Sequence, residues 1–386
     1  MDFSLQRNSP AHVEKTIPDH VTMALEIDLA AIAHNYCLTK SFLRSGCEIA
    51  GVVKSDAYGV GMVPVARELW ARGCRCFFVA FPDEGIALGK VLPKASIYVL
   101  SGVLPHTEEV FIEHELIPVL VDRGQVERWR IHAHRLSRSL RAILHVDTGM
   151  TRNGLSFREV MTIAQHKQSF EGLALDYVMS HLASSEEADN PQNEEQRDVF
   201  NRMRSLLPPV KASLSNSSGI ALGEAYHFDL VRPGIGLLGY ARPFPFEDQM
   251  RPAVKALGRV VQIHEASEGQ AVGYNGSHRC ERPSRLATMG IGYGDGFLRN
   301  LSNRGVVWFG TYPAPVAGRV SMDFIVVDVT DIPESIVSVG AWATLFDTCE
   351  RAHRLSQQGG TVHYELLTSL GSRYYRQYLN GKDTTC

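Results

Sequence analysis

Short apolar runs recur along the first two thirds of the chain, each four or five residues long, at 49–53, 76–80, 96–100, 117–121, 142–146, 175–179, 211–214 and 227–231. Runs of that length read as strands buried on both faces. The segments between them, among them 63–72, 83–89, 123–131, 157–165 and 193–206, are each long enough for one helix. An earlier run at 23–29 leads into a helical pattern over 29–44, with Ile32, Tyr36 and Leu43 on one face and Gly46 as its stop. Strands alternating with helices require parallel crossovers, and eight of them close a ring. The pattern predicts an α/β protein whose first part is a (β/α)8, TIM-like barrel.

Beyond Tyr240 the texture changes, with Pro243, Pro245 and Pro252 close together. The remainder of the chain is strand-rich, with apolar runs at 257–265, 285–291, 306–309, 324–329 and 341–345, glycine turns between them, and one late helix over 364–370. This reads as a mainly antiparallel β domain, a small barrel or sandwich. The expected division is an arm at 1–20, a barrel at 21–250 and a β domain at 251–386.

Composition narrows the class of function. A formal net charge of -3 over 386 residues leaves no basic surplus, which argues against nucleic acid or an acidic membrane as partner. No run is long enough to span a bilayer, and the first residues lack an apolar leader. The seven cysteines are scattered, with no C-x-x-C and no metal-ligand spacing. A cytoplasmic protein acting on a small molecule, without a metal, is expected.

Polar residues cluster where the predicted strands end: Lys54, Asp147, His181, Asn216 and Arg232, with Arg152 a few residues past its strand. In a barrel that rim is where active sites are assembled. Lys54 ends a buried strand and runs into Ser55, Asp56, Tyr58, Gly59 and Gly61, a turn where backbone can approach a ligand. Desolvation there makes an amine nucleophilic and suited to a Schiff base; the alternative is a lysine reaching out to solvent. Residues 234–239 spell a formal G-x-G-x-x-G, yet Pro233 precedes it and it closes a series of strands, so a dinucleotide fingerprint does not fit. Gly234 and Ile235 instead offer backbone N–H groups to a phosphate, with Ser217 completing the site, unless Ser217 belongs to an ordinary serine-rich turn. His181 alone is as well structural as catalytic. Arg152 sits in a glycine-punctuated loop, either on the surface or able to fork onto a carboxylate. Tyr274 and Tyr293 lie among glycines, as in tight hairpins, and residues 319–323 open another strand.

Together these pieces resemble the alanine racemases, pyridoxal-phosphate enzymes with a barrel followed by a β domain. Nine ordered segments carry the resemblance, at 26–29, 54–61, 147–154, 180–185, 229–239, 272–275, 291–296, 319–323 and 364–371. The resemblance implies that Lys54 holds pyridoxal phosphate and is the base for the D-enantiomer, with Tyr274 of the partner subunit serving the L-enantiomer. It implies Arg232 at the pyridine nitrogen, Tyr58, Asn216, Ser217, Gly234, Ile235 and Tyr364 around the cofactor and its phosphate, and Arg152, Met322 and Tyr293 at the substrate. A homodimer with shared sites is implied too, as is supply of D-alanine for peptidoglycan. A tyrosine phenol ordinarily ionises near about pH 10, so a tyrosine base needs help, which the resemblance assigns to His181 with Arg232 behind it. An arginine at the pyridine nitrogen leaves it unprotonated and limits transamination and decarboxylation; a decarboxylase of the same structural group is expected to carry a carboxylate there, and single-domain cofactor carriers lack the β domain.

The chain departs from the family in three places. Ser55 and Val60 replace the usual alanine and histidine after the lysine. His145 stands where many members carry a carbamylated lysine, so a histidine or a bound anion orients Arg152, or Arg152 is held less tightly. Asn153 follows Arg152 where many alanine racemases have leucine, as in broad-specificity amino-acid racemases.

Overall fold

The structure is a computed structural model that describes residues 17–243 and 247–379. Most of the expected arm, Pro245 of the proline-rich boundary, and Cys386 with the rest of the last seven residues lie outside the described residues.

The barrel forms as the apolar runs predict. Gly51–Val52, Cys76–Val79, Ser96–Val99, Ile117–Leu120, Leu140–His145, Leu173–Met179 and Lys211–Ser213 make a parallel sheet in chain order. The eighth strand, Leu230–Val231, pairs in parallel with Glu48–Ile49. Its other edge is tied back by Asp229 N donating to Ala212 O at 2.9 Å and Arg232 N to Ser215 O at 3.0 Å. The run at 49–53 is thus one strand broken at Ala50: its first half serves the eighth strand and its second half the next one in sequence. That break closes the ring. Inside it, Ala50, Phe78, Tyr98, Val119, Ile143, Tyr177, Met179 and Leu230 pack into a single core, with Phe78 and Tyr98 stacked at 4.9 Å. Each such fully buried ring contributes about 1.5–3 kcal/mol.

Met23–Asp28, expected within the barrel segment, lies elsewhere. It pairs antiparallel with Val254–Ala266 and parallel with Tyr375–Leu379, in the sheet of the second domain. Its buried Leu25 and Ile27 read as a strand in any sheet; which sheet is decided by partners far along the chain. The rest of that domain is antiparallel, as expected: Val254–Ala266 pairs with both Ser284–Met289 and Trp342–Phe346, and Ile325–Asp328 extends one side. One helix was not foreseen, Cys349–Gly359, whose first turn is capped by Thr348 accepting from Arg351 N at 3.1 Å. The late helix runs His363–Thr368. Among the described residues no helix is long and apolar enough to cross a membrane.

Candidate active site

Lys54 sits at the mouth of the first barrel strand and opens a turn with an unusual backbone. Ser55, Asp56, Ala57 and Tyr58 all have φ between 51° and 59°, one turn of left-handed helix built without glycine. Each such residue costs roughly 1–2 kcal/mol relative to the right-handed form, so the turn persists only because its surroundings hold it. Asp56 Oδ1 accepts from Met62 N at 2.7 Å and starts the helix Met62–Ala71. From the second domain, the Arg376 guanidinium donates to Gly59 O at 3.0 Å and Tyr378 Oη to Val60 O at 3.0 Å. At the Lys54 end, Glu84 Oε1 accepts from Ser55 N at 2.6 Å. The turn throws Tyr58 across the cleft to Gly234, where a Cβ would come within 2.0 Å of the phenol oxygen; only glycine fits there.

The cleft beside this turn, of about 510 Å3, brings together Lys54, Tyr58, His181, Asn216, Ser217, Arg232, Gly234, Ile235 and Tyr364. All nine are barrel-rim and late-helix residues to which the sequence points. A larger groove of about 690 Å3 near the starts of the strands at Ser96, Ile117 and Leu140 holds none of them. At one end of the cleft Ser217 Oγ accepts from Gly234 N and Gly236 N, both at 3.1 Å. Burial pushes the phenols of Tyr58 and Tyr364 up, Glu186 adding to the effect at Tyr364, so both stay neutral donors. Asn216 Oδ1 accepts from Ser185 Oγ at 2.8 Å and Gly219 N at 2.9 Å and shapes the loop.

At the other end Arg232 is buried and donates to Ser180 O at 2.6 Å, to Leu214 O at 3.3 Å and to Ser213 Oγ. No carboxylate pairs with it among the described residues. Burial lowers its pKa to about 9, so it is still a cation at neutral pH. It also reaches His181 Nδ1 at 3.4 Å. Burial first, then the cations Arg232, Arg152 and Lys54, hold His181 neutral, well below its ordinary range. A neutral ring that accepts at Nδ1 carries its proton on Nε2. Lys54 is likewise lowered, chiefly by desolvation and next by Arg152, with Glu84 opposing and Arg232 reinforcing. Its free amine is therefore more accessible than an ordinary lysine's.

Arg152 does not line the cleft. It is exposed on a tight loop in which Asp147 Oδ1 accepts from the backbone of Gly149, Met150 and Thr151 at 3.0–3.1 Å. At Gly154 a Cβ would stand 2.7 Å from Asp147 N, which closes the loop. Among the described residues Arg152 makes no hydrogen bond or ion pair, to His145 or otherwise. His145 is buried with Nδ1 unpartnered. Burial, then Arg232 and Arg152, bring its pKa down to about 3. Its folded pKa is depressed, so the stability it carries is complete above about 6.5 and is lost as pH falls toward about 3. The urea midpoint is expected to fall across that window, and His145→Asn to flatten the slope; an unchanged slope would count against it.

Tyr274, Tyr293 and Met322 do not enter this cleft. They stand on the second domain, 68%, 42% and 55% exposed. The loops of Tyr293 and Met322 are fastened together, Tyr293 N donating to Ser321 O at 2.9 Å and Gly294 N to Met322 O at 3.0 Å. Beneath them buried Asp295 takes a two-pronged grip from Arg373 at 2.6 and 2.8 Å, and Arg373 also holds Asp323 at 2.7 Å.

Two residues of the site's frame were missed in the sequence. Gln196, fully buried, donates to Thr148 Oγ1 at 3.1 Å and His181 O at 2.9 Å and accepts from Ala183 N at 2.8 Å, joining two rim loops. Glu84 takes Ser55 N, Ala80 N at 2.7 Å and Phe81 N at 3.3 Å. Pro82-Asp83-Glu84 signals a helix start, not the reach to Ser55.

Family models for two domains match the chain, "Alanine racemase, N-terminal domain" over residues 27–242 and "Alanine racemase, C-terminal domain" over 253–378. An alanine racemase of Rhodospirillum rubrum is 41% identical over 361 residues, 93% of this chain and 96% of that protein. A catabolic alanine racemase of Agrobacterium fabrum is 40% identical over 356 residues, 92% of each. The crystal structure of alanine racemase from Bartonella henselae, with covalently bound pyridoxal phosphate, superposes with a TM-score of 0.88 at 37% identity, covering 93% of this chain and 100% of that one. The biosynthetic alanine racemase of Pseudomonas aeruginosa gives a TM-score of 0.85 at 30% identity, covering 93% and 100%.

Proposed function

The chain belongs to the alanine racemase family, and from that premise we propose how its own residues interconvert L- and D-alanine with pyridoxal phosphate. The observation that carries the reading is the Lys54 amine, desolvated and lowered further by the charges of Arg152 and Arg232, at a cleft with donors at both ends. The donors fit the cofactor. Ser217, Gly234 and Ile235, with the neutral phenols of Tyr58 and Tyr364, suit a phosphate. Arg232, a cation with no carboxylate partner among the described residues, suits an acceptor such as an unprotonated pyridine nitrogen. Bound pyridoxal phosphate supplies an electron sink that makes the α-proton of an amino acid removable.

Lys54 Nζ takes the α-proton from D-alanine and returns it when the reaction runs the other way. The opposite face needs a second base, and among the described residues no phenol besides Tyr58 and Tyr364 lines the cleft. We assign that role to Tyr274 of the partner subunit, in a homodimer whose sites are shared. The exposure of Tyr274, Tyr293 and Met322, the last two on loops bonded to each other, supports this. His181, accepting from Arg232 at Nδ1, keeps a donor at Nε2 to stabilise a phenolate. Arg152 is left to meet the substrate carboxylate, with Met322 and Tyr293 of the partner subunit bounding the substrate. The expected division of domains stands in this proposal with one change, Met23–Asp28 moving to the β domain. A cytoplasmic location and supply of D-alanine for peptidoglycan belong to the proposal too; the relatives include both a catabolic and a biosynthetic enzyme. Serine or broader racemisation and decarboxylation are not favoured.

Incubation with D- and L-alanine separately in deuterated water tests the scheme. Deuterium is expected at Cα from both enantiomers, with interconversion; exchange from neither overturns it. Arg232→Glu adds a second check. A carboxylate there is expected to raise transamination per turnover, about tenfold or more, without loss of cofactor, and unchanged partitioning would sink the role given to Arg232.

A further inference from the structure

We propose that Glu84 is a positioning residue for Lys54, its carboxylate pinning the left-handed turn that aims the amine into the cleft. This rests on the reading of Lys54 as the base for D-alanine. Ser55 is the first left-handed residue, and its N–H belongs to the peptide that joins it to Lys54. Glu84 Oε1 takes that N–H at 2.6 Å while Oε2 takes Ala80 N at 2.7 Å and Phe81 N at 3.3 Å. One carboxylate therefore bolts the end of the first barrel strand to the end of the second. The grips from the second domain fall at Gly59 and Val60, at the far end of the turn. Asp56 ties the middle of the turn forward to Met62 N, and Ala57 N donates to Val53 O at 2.9 Å and Gly59 N to Ser55 O at 2.8 Å. Without Glu84 no side chain holds the Ser55 N–H, and Ser55, exposed and not glycine, loses its one restraint toward the strand ends and relaxes back toward a right-handed or extended backbone. That return would swing the peptide next to Lys54. The Glu84 charge opposes the lowering of the Lys54 pKa, so Glu84→Gln leaves the free amine no scarcer and a fall in kcat reads position, not protonation. A glutamine keeps the length but sets an NH2 group against backbone N–H donors.

The test uses the full-length protein loaded with pyridoxal phosphate, as Glu84→Gln, Ser55→Gly and the double variant. Glu84→Gln is expected to lower kcat about ten- to a hundredfold with KM within about threefold. The α-deuterium isotope effect should rise for D-alanine, whose proton goes to Lys54, and not for L-alanine. After removal of the cofactor, recapture of added pyridoxal phosphate, followed by visible absorbance, should slow. Glycine adopts the left-handed backbone freely, so Ser55→Gly should restore both kcat and recapture in the Glu84→Gln background. The proposal is overturned if kcat, isotope effects and recapture are unchanged. It is equally overturned if the loss tracks a falling melting temperature and glycine does not restore it, which identifies a helix cap alone. Failure of the underlying reading shows separately, as D-alanine turnover that survives Lys54→Ala.

Discussion

Lys54→Ala is expected to lose racemisation in both directions by at least about a thousandfold, because one side chain carries two tasks. In the proposed scheme it anchors the cofactor and moves the proton on the D-face; a positioned acid or base alone contributes about 10²–10⁴ in rate. The loss should come without unfolding, since the turn is held by backbone and by Glu84, Asp56, Arg376 and Tyr378, none of which uses the amine. Added methylamine should restore part of the turnover by standing in for the missing group. Chiral chromatography of the products reads both effects. Turnover within about tenfold of the parent would remove Lys54 from the centre of the scheme.

Tyr274→Phe is the second large effect, an expected loss of about 10²–10⁴-fold in kcat, and its more telling form is a mixture. If each site takes Lys54 from one subunit and Tyr274 from the other, neither Lys54→Ala nor Tyr274→Phe homodimers have a complete site. A mixed dimer of the two has one complete site and one lacking both bases. Random reassembly of equal amounts should therefore restore roughly a quarter of the parent activity per subunit. A mixture no more active than its inactive components, with mixed dimers present by native mass spectrometry, would refute shared sites.

Much of this frame can be read in the residues because a buried strand announces itself locally. The apolar runs lie where the barrel strands form, and the polar residues at their ends, Lys54, His181, Asn216 and Arg232, meet in one cleft. What depends on distance was not legible. Met23–Asp28 is a strand by its own pattern, but its sheet is chosen by Val254–Ala266 and Tyr375–Leu379. The turn after Lys54 takes the unusual backbone expected of it, at Gly59 and Gly61, but Ser55–Tyr58, none of them glycine, take it too, which no local pattern announces. Their conformation is imposed by Glu84 and by two side chains of the second domain. Cys349–Gly359 buries Ala352, Leu355 and Gly359, too sparse an apolar stripe to stand out amid its charges. Arg152 looks like a site residue by its loop and stands outside the cleft.

Met23–Asp28 also bears on how the molecule is made. It leaves the ribosome before any barrel strand, and both of its hydrogen-bonded neighbours emerge after the barrel sequence is complete. The barrel, whose parallel strands pair in chain order, can organise while synthesis continues. The second sheet cannot, because its early strand waits with both edges open until its late partners arrive. Arg376 and Tyr378 lie on Tyr375–Leu379, so the turn that carries Lys54 receives these clamps only after every barrel strand and the other strands of the second sheet have emerged. A nascent chain with a finished barrel would still lack a properly held Lys54, so in the proposed scheme catalytic competence waits on the second sheet as well as on the barrel that bears the lysine.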